Sequence, residues 1–224
     1  MAEGVRGRTV LIAGATSASG EAVASALVAA GAAVLAVGTR EDALERLEQA
    51  VPGVDTRVCD LADRSAVAEL AMRIHVKFGR IDGLVHLVGG WRGGGGIEGQ
   101  TDDDWEFLER GFTTLRNTTR VFYDDLVASP AGRLAIVSAT AVEHPLAGGA
   151  NYAAAKAAGD AWTRAVAQGF RKEAPNAAAA IFVVKALAEL ESLLAERVVG
   201  LWDADPSTIN GVRQLLTAPG PVTP

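Results

Sequence analysis

The chain has 224 residues, of which 49% are hydrophobic and 21% are charged, and its net charge at pH 7 is −6. A chain of this length and composition is typical of a folded protein with a sizeable core and not of a disordered one. Its acidic balance argues against nucleic acid or an anionic membrane surface as the main partner.

Short β-rich apolar runs alternate with helix-like segments along the chain. The runs predict strands at 8–14, 32–38, 55–61, 82–90, 132–139 and 177–187. The segments between them predict helices at 19–30, 41–50, 64–79, 102–126 and 152–173. Continuous apolar runs are typical of strands covered on both faces, and strand–helix alternation favours right-handed βαβ units. The sequence therefore predicts one α/β domain over residues 1–224: a Rossmann-type, doubly wound parallel sheet in three layers.

The segments outside this alternation have less regular patterns. Residues 89–96 read GGWRGGGG, which predicts a mobile loop. The stretch from Leu187 to Trp202 predicts a single helix, and VRQLLTA predicts a last short strand after a turn at Asn210-Gly211. Residues 215–224 are predicted to form a flexible C-terminal tail.

Cysteine usage and the first residues bear on the compartment. The single cysteine, Cys59, excludes an intrachain disulfide, which fits a reducing cytoplasm. The start MAEGVRGRTVLIAG lacks the apolar core of a signal peptide, and no apolar run reaches the roughly 20 residues that span a bilayer. One cysteine and three histidines leave little from which to build a metal site. We therefore expect a cytoplasmic protein without a metal.

A glycine loop lies at the first strand–helix junction, where residues 13–20 read AGATSASG. Glycine at the start of such a loop permits a sharp turn, and glycine at its end permits close packing of the helix. The amides between them face a phosphate at the positive end of the helix. The pattern predicts a dinucleotide site, and the alternative is a tight turn without a ligand. The predicted cofactor-binding residues of this loop are Gly14, Thr16, Ser17, Ala18, Ser19 and Gly20.

The segment NYAAAK places Tyr152 and Lys156 four residues apart at the start of a predicted helix. Residues at this spacing lie on the same helix face. With the glycine loop, this pair makes residues 7–175 resemble the short-chain dehydrogenase/reductase family. The resemblance matches the family's acidic adenine contact to Asp60, followed by Leu61, and the glycine of its NNAG motif to Gly89.

The resemblance implies the chemistry of the site. Tyr152 would exchange a proton with the oxygen of a small carbonyl or alcohol substrate. Lys156 would favour the phenolate, whose ordinary pKa is near 10, and would also hold the nicotinamide ribose. The family usually forms dimers or tetramers, so we expect a homodimer or homotetramer.

The choice of cofactor is predicted from the end of the second strand. An acid there would hold the ribose 2′-hydroxyl of NAD, but the sequence reads Gly38-Thr39-Arg40. Arg40 could pair with the 2′-phosphate of NADP, and Ser17 could add a hydroxyl. The sequence favours NADP, with NAD possible; the alternative for Arg40 is a surface side chain at the start of a helix.

Three positions depart from the family pattern. The family's serine falls on Ala139, so Ser138 is predicted as its substitute, and Thr140 is the other neighbour. The family's asparagine falls near Phe112, and its Pro-Gly after the sixth strand is replaced by Lys185-Ala186. His86 and His144 are alternative proton-transfer groups, although each also has a structural interpretation.

These departures leave three functional hypotheses open. The first is an NADP-preferring oxidoreductase whose catalytic residues are Tyr152, Lys156 and Ser138. The second is a catalytically impaired nucleotide-binding protein that acts as a sensor or partner subunit. The third is a scaffold that has lost even the cofactor.

Overall fold

The computed structural model describes residues 4–217, which form one seven-stranded sheet in the order β3–β2–β1–β4–β5–β6–β7. All strand pairs are parallel. The strands are β1 (Thr9–Ala13), β2 (Ala33–Gly38), β3 (Val54–Val58), β4 (Gly83–His86), β5 (Arg133–Ala139), β6 (Ala178–Val184) and β7 (Arg213–Leu215). The predicted doubly wound α/β fold is confirmed.

Helices cover both faces of the sheet because its central strands are apolar on both sides. The helices are α1 (Ala18–Ala29), α2 (Glu41–Ala50), α3 (Arg64–Phe78), α4 (Asp102–Ala128), α5 (Ala150–Glu173), α6 (Glu191–Val199) and α7 (Pro206–Ile209). Helices α1 and α6 pack on one face, and α3, α4 and α5 pack on the other. Alternate residues of the five central strands β1, β2, β4, β5 and β6 enter the two cores, as the two-residue period of a strand requires.

The order in which successive strands are added to the sheet reverses between β1 and β4, which are themselves parallel. The strands before this point wind towards β3, and those after it wind towards β7. Crevices for ligands form at such a switch point, beside the carboxyl ends of the strands. Both the glycine loop after β1 and the loop after β4 leave the sheet here.

The predicted boundaries change mainly where the chain turns. Strand β4 ends at His86, not at residue 90, and the predicted helix Leu187–Trp202 is split into α6 and a 3₁₀ turn at Gly200–Trp202. Leu215 ends β7 and Leu216 is buried, so the first residues of the predicted tail belong to the fold. Residues 218–224 of that tail lie outside the described residues. Within 4–217, no helix is long and apolar enough to cross a membrane.

Candidate active site

A cavity of about 910 Å³ lies at the carboxyl ends of β1, β4, β5 and β6. Six residues of its wall matter most for its chemistry: Ser17, Gly89, Ala139, Thr140, Tyr152 and Lys156. Residues from the glycine loop, the loop after β4, the end of β5 and the start of α5 therefore meet around one space. A cavity of this size can hold a cofactor or a small ligand.

The glycine loop has the backbone of a phosphate cradle. Gly14 has a φ of +82°, and a Cβ there would lie 2.8 Å from the amide nitrogen of Val88. Ser17 caps α1 by accepting a hydrogen bond from the Gly20 amide at 3.1 Å. A Cβ on Gly20 would lie 2.2 Å from the carbonyl oxygen of Ala15, so this glycine closes the loop on itself. The first amides of α1 remain available to an anion at the positive end of the helix.

Tyr152 and Lys156 both face the cavity from the first turns of α5. The Lys156 ammonium lies 5.8 Å from the centre of the Tyr152 ring and donates to the carbonyl oxygen of Val137 at 2.8 Å. A Cβ on Gly89 would lie 3.5 Å from Lys156 Nζ. The lysine is thus held between the end of β5 and the loop after β4.

The pKa values of this pair are shifted in opposite directions by burial. Burial raises the pKa of the Tyr152 phenol, so its neutral form is stabilised. Burial lowers the pKa of Lys156 to about 8, which still leaves the side chain mostly cationic at pH 7. The shift in the pKa of Tyr152 arises from burial alone.

His86 is a buried structural residue. Its Nε2 lies 2.9 Å from Thr114 Oγ1, and this hydroxyl donates to the carbonyl oxygen of Gly111 at 2.8 Å. Nε2 must then carry the proton that it donates to Thr114. Burial, with a smaller effect from the Lys156 charge, lowers the pKa of His86 to about 3. His86 is therefore neutral at pH 7, which favours its structural interpretation.

The structure corrects the prediction that Ser138 replaces the serine. Strand β5 is regular to its end, with Ser138 opposite Val183 and Ala139 opposite Val184 of β6. Without a bulge, Ser138 shares the face of Ile136, which packs in the core below α4 and α5. Its Oγ is fully buried, has no hydrogen-bond partner among residues 4–217, and does not line the cavity.

Thr140 is the hydroxyl-bearing residue that β5 directs to the cavity. The strand alternation stops after Ala139, and Thr140 begins a 3₁₀ turn that packs against α5. Ala139 and Thr140 therefore both line the cavity. Within the part of the chain that the structure describes, the Thr140 hydroxyl makes no hydrogen bond, so it is available to a ligand.

Two residues of α4 bear on the missing family asparagine: Phe112, near the corresponding position, and Asn117, further along the helix. Phe112 lines a small cavity of about 40 Å³ beside Lys156 and also packs edge-on against Trp162. Asn117 is buried and donates to the carbonyl oxygens of Leu61 and Ala62 at 3.1 and 2.8 Å. Asn117 therefore supports the loop after β3 and does not reach the Tyr152 site.

The residues predicted to bind the adenosine half lie beyond the cavity wall. Arg40 is exposed at the start of α2 and makes no side-chain capping bond. The end of β2 lies against the glycine loop, since a Cβ on Gly38 would lie 3.1 Å from the Thr16 methyl group. Asp60 accepts from Arg110 at 2.7 Å and from the Ala62 amide at 2.9 Å.

The structure thus brings together only part of the predicted set. Ser17, Ser19, Gly89, Tyr152 and Lys156 line the cavity. Eight other predicted residues do not line it: Gly14, Thr16, Ala18, Gly20, Arg40, Asp60, Leu61 and Ser138. The wall also contains residues that were not predicted as site residues, among them Thr140, which was only an alternative to Ser138, and Lys185.

The glycine-rich loop is tied to the start of α5. Gln100 Nε2 donates to the carbonyl oxygens of Gly94 and Gly96, both at 3.0 Å, and Gln100 Oε1 accepts from the Asn151 amide at 3.1 Å. The Gly94 amide donates to Gly148 at 2.7 Å. These bonds position the loop wall next to Tyr152.

Arg213 of the last strand supports the opposite wall. Its guanidinium donates to the carboxylate of Asp160, whose side chain is completely buried, and to the carbonyl oxygen of Ala139 at 3.0 Å. It also pairs with Glu143 at 3.1 Å. One side chain of β7 therefore fixes α5, the end of β5 and the turn after it.

Comparison with known proteins agrees with this geometry. Residues 8–182 match the family model described as short chain dehydrogenase. The 2,3-dihydro-2,3-dihydroxybenzoate dehydrogenase of Bacillus subtilis (strain 168) is 30% identical over 168 residues, which cover 73% of this chain and 64% of that protein. The chain belongs to the short-chain dehydrogenase/reductase family.

Other similar proteins are related to this chain over only part of their length or at low identity. The NADP-dependent 3-hydroxy acid dehydrogenase YdfG of Salmonella typhi is 31% identical over 150 residues, 66% of this chain and 60% of that protein. The match therefore spans less than two thirds of the length of either relative. A metagenomic short-chain oxidoreductase in complex with NADP has a TM-score of 0.84 at 22% identity, covering 96% of this chain and all of that one. NAD+-bound xylitol dehydrogenase has a TM-score of 0.83 at 20% identity, covering 94% and 98%. At these identities the two structures establish the fold alone.

Proposed function

We propose that this protein is an NADP-preferring oxidoreductase that interconverts a carbonyl and an alcohol. The observation that carries the proposal is that Tyr152 and Lys156 share one cavity with Ser17 and Ser19, at the amino end of α1. Such an arrangement combines a site for an anionic cofactor with a proton donor. Family membership supports the same reaction class.

The residues around the cavity fit a nicotinamide dinucleotide. The Gly14 turn and the first amides of α1 would hold the pyrophosphate, because side chains are excluded where the backbone must approach it. Lys156 would hold the nicotinamide ribose, and Gly89 leaves room beside the lysine. When bound, the reduced dinucleotide supplies a hydride for the carbonyl carbon.

Tyr152 would supply the proton in the reduction. Burial raises the pKa of its phenol, so the group is protonated at neutral pH and can donate to a carbonyl oxygen. The phenolate left after donation lies close to the Lys156 charge, which stabilises it. In the reverse direction the same phenolate would accept the proton of an alcohol.

Thr140 would hold the substrate carbonyl in place of Ala139. Thr140 lines the same cavity as Tyr152, and its hydroxyl makes no hydrogen bond to the residues at 4–217. A donor aimed at a carbonyl oxygen stabilises the negative charge that develops there. This role replaces the one predicted for Ser138.

Thr140→Val is expected to lower kcat by about 10²-fold, because it removes this donor and keeps the shape of the side chain. Adding Ala139→Ser to the variant should restore much of the activity. The measurement is NADPH consumption with a carbonyl substrate. Ser138→Ala is the matched control and should leave kcat unchanged; a loss at Ser138 with none at Thr140 would refute the assignment.

Arg40 is proposed to select NADP, since it is exposed just after Gly38, and Gly38 ends β2 against Thr16 of the glycine loop. Calorimetry of the wild type should show tighter binding of NADPH than of NADH. Arg40→Leu should weaken NADPH binding about 10- to 100-fold and leave NADH unchanged, because a charge-assisted bond to the 2′-phosphate is lost. Arg164→Leu, an exposed change on α5, is the control. Equal binding of the two cofactors by the wild type would exclude this preference.

The catalytically impaired sensor or partner subunit is the second candidate. The absence of a hydroxyl at Ala139, at the end of the regular β5 strand, favours it. It predicts tight binding of NADPH without reduction of any carbonyl, and the same calorimetry followed by a substrate screen separates the two candidates.

A further inference from the structure

The wall of the large cavity carries positive charge in an acidic protein. The chain has 27 aspartates and glutamates, yet none of the described residues that line the cavity is one of them. The ionisable groups in the wall are His86, His144, Tyr152, Lys156 and Lys185. A cavity with cations and no carboxylate attracts anions, and its walls strengthen the effect by excluding water.

Lys185 is a wall cation that has no role among the dinucleotide contacts proposed above. It directly follows β6, is exposed to the cavity, and makes no ion pair with another residue at 4–217. Strand β6 lies three positions from β1 in the sheet. At about 4.8 Å for each strand spacing, Lys185 is well removed from the phosphate loop that follows β1.

Lys185 lies beside the position where the substrate carbonyl is expected. Val184 is opposite Ala139 in the parallel pair, so Lys185 and Thr140 both follow directly at the edge of the sheet. Their backbones are therefore about one strand spacing apart. If Thr140 binds the carbonyl oxygen of a substrate, Lys185 can reach another group that lies only a few bonds away on that substrate.

Nearby carboxylates do not neutralise Lys185. Glu143 pairs with Arg213 at 3.1 Å and does not line the cavity. Glu189 follows Lys185 on the same loop but does not line the cavity. His144, which does line the cavity, adds a second polar group that can donate to an anion.

We propose that the substrate is a small oxo acid, or in reverse the corresponding hydroxy acid, whose carboxylate is bound by the ammonium group of Lys185. In a 2-oxo or 3-oxo acid, at most one carbon separates the carboxylate from the carbonyl, so Lys185 and Thr140 could bind the two groups of one molecule. The inference rests on the proposed function, because it names the substrate class of the same site.

The proposed reaction is a balanced two-electron reduction. The carbonyl carbon accepts a hydride from the reduced nicotinamide, and the π electrons of the C=O bond move to oxygen. The oxygen, held by Thr140, takes the proton that Tyr152 gives up. The oxo acid becomes a hydroxy acid, the nicotinamide is oxidised, and the carboxylate bound by Lys185 is unchanged.

The test measures binding separately from turnover. Protein saturated with NADP+ is titrated in a calorimeter with acetoacetate, 3-oxooctanoate and benzoylformate, and with the ethyl ester of each. We expect at least one acid to bind about 10- to 100-fold more tightly than its ester, because the ester lacks the charge-assisted bond. Lys185→Met should remove this difference, leaving the affinity for the ester and for NADP+ unchanged. Lys172→Met, an exposed change in the last turn of α5, should keep the wild-type preference.

Three results would overturn the inference: no acid binds more tightly than its ester, Lys185→Met weakens acid and ester equally, or it weakens NADP+ itself by the same factor. The last result would assign Lys185 to the cofactor phosphates. If instead an acid binds through Lys185 but is not reduced when NADPH replaces NADP+, the anion site stands and the proposed oxidoreductase function falls.

Discussion

Tyr152→Phe is expected to lower kcat for carbonyl reduction by about 10²- to 10⁴-fold, while NADPH affinity changes little. The change removes the phenolic proton and keeps the aromatic ring that lies 5.8 Å from the Lys156 ammonium. Thr140 would still hold the carbonyl, but the oxygen would lose its proton donor. NADPH consumption by the two proteins gives the rate, and calorimetry gives the affinity.

The chain has two tyrosines, and the other one, Tyr123, provides a matched control. Tyr123 stacks on Phe170, and its hydroxyl is 3.4 Å from Glu173 on the surface, away from the cavity. Tyr123→Phe should therefore keep wild-type kcat. Equal activity of Tyr152→Phe and the wild type would remove Tyr152 from the mechanism. A wild type that binds NADPH tightly and reduces nothing would favour the sensor.

Arg213→Met should lower the free energy of unfolding by about 3–5 kcal/mol, which is large for a change on a short edge strand. The side chain of Asp160 is completely buried, and Arg213 is its charged partner. Without the guanidinium, a buried carboxylate would lose its counter-charge. Urea denaturation with parallel fluorescence and circular dichroism detection measures the change.

Two further variants separate charge pairing from general damage. Arg164→Met, on the exposed side of α5, should cost less than about 0.5 kcal/mol. Asp160→Leu combined with Arg213→Met should recover much of the lost stability, because both buried charges are then gone. A loss below about 1 kcal/mol for Arg213→Met would mean that the pair behaves as an exposed one.

Much of the fold could be predicted because its signals are local. Apolar runs such as 8–14 and 32–38 have the length and composition of buried strands, and helices between them require a parallel arrangement. The segment Leu187–Trp202 was misjudged because its apolar residues continue through a 3₁₀ turn at Gly200, where packing sets the backbone. Edge strand β7 lies inside the predicted strand VRQLLTA, but only three of those residues pair with the sheet.

The site was less predictable because it depends on contacts between distant residues. The spacing of Tyr152 and Lys156 fixes their common helix face, so their pairing could be predicted. The hydroxyl at the end of β5 depends on where the strand stops: Thr140 enters a turn that packs on α5, and the two-residue alternation ends there. Arg213 binds Asp160 across 53 residues of sequence, and no local pattern reveals such a pair.

The position of Arg213 in the chain also bears on how the protein is made. The strands and helices that carry the glycine loop, Tyr152 and Lys156 all leave the ribosome before this arginine does. Until it emerges, the Asp160 carboxylate has no guanidinium, and the Ala139 carbonyl lacks one of its donors. Domains generally fold as units during synthesis. We therefore expect the wall beside Thr140 to be completed only after β7 has left the ribosome.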